Sequence, residues 1–135
     1  ALGISMDTVL VIIVFLFLAV SLIFSEALPK KYKDRKCEGR AWKKAYPLSS
    51  SDEIRAFLSV FVGAFAFNDQ HKLKFNPNDK LIDIYKLLYP HKWQADSMEF
   101  ETLADDLKSK YNLSFSEVWH DQLTLGELFA KVQNA

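Results

Sequence analysis

Hydrophobic and polar positions divide the chain sharply. From Thr8 to Phe24 the sequence TVLVIIVFLFLAVSLIF runs for seventeen residues without a charge, proline or glycine. Its apolar residues fall on every side of a helix rather than on one stripe. A bilayer core about 30 Å thick takes roughly 20 such residues, so this run predicts a membrane-spanning helix within residues 1–28. A cleaved signal peptide is the alternative, because Ser25-Glu26-Ala27 follows the apolar core as a small-x-small tripeptide, although no basic residue precedes that core.

Beyond the run the pattern changes to helical spacing. Ser50 with Glu53 forms a capping box, and Ile54, Phe57, Leu58, Phe61, Val62 and Phe65 then recur on one face, which predicts a core helix. Asn68–Asp79 reads as loop, with Asn76-Pro77-Asn78-Asp79 as a turn and Lys72–Phe75 as a short extended piece. Leu81, Ile84, Tyr85 and Leu88 predict a brief helix closed by Pro90. Asp96 with Glu99 opens another, whose inner face is Phe100, Leu103, Ala104, Leu107 and Tyr111. Ser114 with Glu117 starts a short helix through Trp119, and Thr124 with Glu127 starts the last, with Leu125, Leu128, Phe129 and Val132 pointing inward. No alternation sustains a strand. The expected class is all-α: a single N-terminal transmembrane helix plus a small helical bundle.

Charge adds an orientation. Formal net charge is zero over 135 residues, but residues 29–46 hold eight Lys/Arg against Asp34 and Glu38, whereas residues 96–135 hold eight acidic residues against three lysines. Positive charge beside a span stays cytoplasmic, so the expectation is a cell-membrane protein with its N-terminus outside and its C-terminal domain cytoplasmic. Tyr32, Trp42 and Tyr46 among the lysines suit an interfacial belt facing anionic headgroups. The expected organisation is an anchor at 1–28, a basic juxtamembrane linker at 29–49 and a helical domain at 50–135. The bilayer is then one partner, and nucleic acid is not. The single Cys37 cannot make an internal disulfide. Asn112-Leu113-Ser114 is a glycosylation sequon that a cytoplasmic domain would not use. Met6 offers an alternative start to the chain.

Candidate chemistry is sparse. His71, His91 and His120 are scattered without a paired ligand, and the chain has no Cys/His cluster, phosphate-binding glycine loop or nucleophile elbow, so neither an enzyme nor a metal site is expected. What remains is Asp96-Ser97-Met98 at a loop-to-helix junction, followed by an acidic amphipathic helix carrying Glu99, Glu101, Asp105 and Asp106.

The tripeptide resembles the Asp-Ser-Leu attachment motif of acyl carrier proteins. The likeness extends over residues 51–132: an apolar-faced helix precedes a long loop, Asn76–Leu81 is similar to the family's Asp-x-x-Leu segment, Tyr111–Phe115 to its aromatic-plus-short-helix connection, and Leu123-Thr124-Leu125-Gly126-Glu127-Leu128 to the opening of its last helix. Met98 stands where the family has leucine, Gln94-Ala95 stands where it has glycine, and the loop before the serine is longer. The resemblance implies an acyl-carrier-like bundle, 4′-phosphopantetheine on Ser97, and docking of acyl-processing or other basic-surfaced partners through Asp96, Met98, Glu99, Glu101, Asp105 and Asp106. The plain alternative is that Asp96 and Ser97 cap a helix, a contribution of about 1 kcal/mol. The domain would then be a membrane-anchored binding protein, an immunity or regulatory partner, without a prosthetic group.

Overall fold

The computed structural model describes residues 5–24, 28–90 and 98–135, and of residues 19–24 the backbone alone. The described residues form helices α1 (Met6–Phe24), α2 (Lys30–Lys33), α3 (Gly39–Ala45), α4 (Ser51–Ala64), α5 (Leu81–Leu88), α6 (Met98–Tyr111), α7 (Phe115–Val118) and α8 (Leu125–Gln133), with a 3-10 helix at Asp69–Lys74 between α4 and α5.

The membrane expectation is not supported. No helix among the described residues is long and apolar enough to cross a membrane. Asp7 lies in the first turn of α1, which puts a charge inside the helix. The transmembrane anchor, the single-pass topology and the cell-membrane placement are withdrawn with it. The side chains of residues 5–18 are all exposed.

Within the stretch 29–49, expected as a linker, residues 29–46 pack against the rest of the described domain. Tyr32 and Trp42 are buried. Trp42 Nε1 donates to Phe75 O at 2.8 Å, and its ring packs against Phe57 and, edge-on, against Phe129. Tyr32 lies against Phe75, with the Arg35 guanidinium over its ring, 4.7 Å from the centroid. Arg35 also reaches Asp79 with both guanidinium nitrogens, at 2.6 and 2.9 Å. Aromatic rings carry enough apolar surface to seek a core even when lysines flank them. The lysines stay outside while the rings turn in.

Burial of Tyr32 has a pH consequence. Desolvation, followed by the nearby Asp79 carboxylate, pushes its hydroxyl up from the ordinary value of 10.0 to about 12. A folded-state value above the unfolded one favours the native state fully below pH 10, and that contribution is lost as pH rises from 10 through about 12. Stability should therefore fall by about 2 kcal/mol over that window from this residue. Denaturant melts at stepped alkaline pH should show the loss, and Tyr32→Phe should remove its share.

The caps of α4 and α8 are as expected. Ser50 Oγ accepts from Glu53 N and Thr124 Oγ1 from Glu127 N, each at 3.1 Å. Ser114 makes no such bond at α7. Lys72–Lys74 lies in the 3-10 helix rather than an extended piece, and Asn68 Oδ1 caps that helix by accepting from Gln70 N at 2.9 Å.

The turn before α5 is stitched to the start of α8. Gly126 N donates to Pro77 O at 2.8 Å, Leu125 N to Asp79 O at 2.9 Å, and Leu81 N to Leu123 O at 3.1 Å. Lys80 and Thr124 form an antiparallel bridge. The two segments, some forty-five residues apart in sequence, thus share their backbone hydrogen bonds, and Asp79 Oδ2 closes the turn by accepting from Asn76 N at 2.7 Å.

Candidate functional site

Helix α6 carries the candidate site, and its orientation follows from its inner face. Leu103 and Leu107 are fully buried. Phe100 meets Phe65, Tyr85 and Trp119 at ring-centroid distances of 5.7, 4.7 and 5.1 Å. Phe65 follows the last residue of α4, so the opening of α6 lies beside the end of α4.

At about 100° per residue, Glu101, Asp105, Met98, Thr102 and Asp106 occupy one continuous arc, opposite Leu103, Phe100, Ala104 and Leu107. Glu101, Asp105 and Asp106 are exposed, and Met98 is 63% exposed. The result is an acidic strip headed by one apolar side chain. Lys108 and Lys110 lie in the last turn, where cations complement the helix dipole.

Glu99 does not share that strip. It falls at the edge between the two arcs and is half-buried; the Tyr89 hydroxyl donates to its Oε1, and Oε2 is buried without a hydrogen-bond partner among the described residues. Glu99 therefore ties α6 to the end of α5. Asp96 and Ser97, the other two expected site residues, lie outside the described residues, as do His91 and Trp93.

Elsewhere, the His120 ring and the Glu127 carboxylate meet at 3.2 Å on the surface. Asp69 is held below the ordinary carboxylate value by hydrogen bonds from Ser59 and then Lys72; the Lys72 bond lies within the 3-10 helix, while Ser59, donating to Asp69 and accepting from Lys72, fastens that helix to α4. Among the described residues no group of three or more His, Cys, Asp and Glu side chains is arranged to hold a metal ion.

No family model, no curated protein and no solved structure matches the chain. Any functional reading therefore stands on the residues and their arrangement.

Proposed function

We propose that this chain is an acyl-carrier-like protein that presents a 4′-phosphopantetheine arm on Ser97 and docks partner proteins through the acidic strip of α6. The observation that carries the reading is the order of elements. Apolar-faced α4, a long loop containing α5, acidic α6 opening directly after Asp96-Ser97, one-turn α7, and α8 opening on Thr124-Leu125-Gly126-Glu127 follow one another as the resemblance requires. The hydrogen bonds between Pro77–Leu81 and Leu123–Gly126 support it further, because they join two of the segments on which the resemblance rests.

The surroundings described at the opening of α6 fit such an arm. Met98, next to Ser97 in sequence, is largely exposed, and Glu101 on the following turn is exposed as well. When bound, the group supplies a terminal thiol for acyl attachment. The chain's own residues supply position and recognition: Phe100 fixes the helix opening against Phe65 at the end of α4 and Tyr85 of α5, while Glu101, Asp105 and Asp106 attract a basic surface and speed its approach. No catalytic group of the chain itself enters this reading.

Loading by a phosphopantetheinyl transferase with coenzyme A tests both halves. The wild-type chain should be modified at a rate that falls with added salt, and Ser97→Ala should not be modified. Replacing Glu101, Asp105 and Asp106 together by lysine should slow loading about tenfold or more at low salt, within the range that electrostatic steering spans. Undiminished loading of that triple variant would remove the strip from the account. The rival reading, a binding protein without a prosthetic group, expects no loading of the wild-type chain at all.

A further inference from the structure

A second feature lies at the far end of α4 from the opening of α6. Between α3 and the first turn of α4 is a cleft of about 380 Å³, a size at which small-molecule sites begin. Ile54 and Leu73 give it an apolar floor, Arg40, Lys43 and Arg55 line it, and no carboxylate does. Lys43 Nζ donates to Ser49 O at 2.7 Å. Arg40 and Arg55, by contrast, make no hydrogen bond or ion pair among the described residues.

That arrangement is unlike the other arginine of the domain. Arg35 is spent on Asp79 and has its charged form favoured by that hydrogen bond. Two free guanidinium groups and one ammonium beside an apolar floor are complementary to a ligand with a doubly charged head and a hydrocarbon body. Guanidinium forks match phosphate oxygens in pairs, and a phosphate monoester balances three nearby cations better than a singly charged carboxylate does.

We infer that the α3–α4 cleft is a binding site for a small phosphate monoester with an apolar body, held by Arg40, Arg55 and Lys43 and seated on Ile54 and Leu73. The site is separate from the opening of α6. α4 is 14 residues long, about 20 Å at its helical rise, and the opening of α6 meets its other end.

Cys37 lines the cleft, is exposed, and is the only cysteine in the chain, so its alkylation by N-ethylmaleimide reads occupancy directly. Hexyl phosphate should slow that alkylation saturably, by about tenfold at ten times its dissociation constant. Inorganic phosphate should protect much less, and hexanol not at all. Arg40→Gln and Arg55→Gln, both at exposed positions, should each weaken protection by about tenfold, the factor expected for a lost hydrogen bond to a charged group, with unchanged helical circular dichroism and unliganded labelling rate. Absence of protection by hexyl phosphate, equal protection by inorganic phosphate, or full protection in the Arg40→Gln/Arg55→Gln double variant would each overturn the assignment.

Discussion

Trp42→Ala is expected to cost the domain about 3–5 kcal/mol of folding stability, a large part of the roughly 5–15 kcal/mol that natural domains possess. The ring is fully buried, packs on Tyr46, Phe57 and Phe129, and its Nε1 satisfies Phe75 O. Truncation opens a cavity among α3, α4 and α8 and leaves that carbonyl without its donor. Trp42→Phe keeps most of the packing and removes the hydrogen bond, so it should cost less, about 1–3 kcal/mol. Urea melts followed by circular dichroism check both. A linker tryptophan outside the core would leave the midpoint where it was.

The second large effect is expected at Gly126, where space rather than backbone conformation demands glycine. A Cβ there would lie 2.9 Å from Pro77 O, 2.9 Å from the Tyr46 hydroxyl oxygen and 3.1 Å from Pro77 Cβ. The carbonyl belongs to the same peptide that accepts from Gly126 N, and the Tyr46 hydroxyl donates to Gly126 O. Gly126→Ala must therefore push the Pro77 turn and Tyr46 away together. Overpacking with a weakened hydrogen bond should cost about 3 kcal/mol. In the same melts Gly63→Ala, where an added Cβ meets nothing within 4 Å, should be neutral or stabilising, since alanine is the better helix former.

These two positions also mark how far the sequence could be read. Helices α4, α5, α6 and α8 were legible because each is long enough for its apolar positions to recur at helical spacing, and Ser50 and Thr124 announce two of the starts through local bonds spanning three residues. Helices α2 and α3, of four and seven residues, are too short to show such a repeat. Tyr32, Trp42 and Tyr46 among lysines satisfy an interfacial belt and a folded core equally well at the level of pattern. What separates the two is the partner set, Phe75 for Tyr32 and Trp42 and Gly126 for Tyr46, which lies 33 to 80 residues away. The apolar run of α1 reads as a span by composition, whereas no helix among the described residues is long and apolar enough to cross a membrane.

At the candidate site the same limits apply. The outward placing of Glu101, Asp105 and Asp106 follows from the inward placing of Leu103 and Leu107, so it could be read in advance. The half-burial of Glu99 was also within reach, since its angular position falls between the two faces. Its contact with Tyr89 was not, because it depends on how α5 ends. The α3–α4 cleft could not be seen at all, as Arg40 and Arg55 are brought together only by the packing of a helix that the pattern does not reveal.

The central claim is that Ser97 carries a prosthetic group, and the intact mass of the full chain tests it most directly. The chain and Ser97→Ala should be produced side by side in a host with an active phosphopantetheinyl transferase. The account predicts that the wild-type chain gains the mass of one phosphopantetheine and that the variant keeps the bare mass. A wild-type chain of bare mass, or a variant that still gains the group, would contradict it.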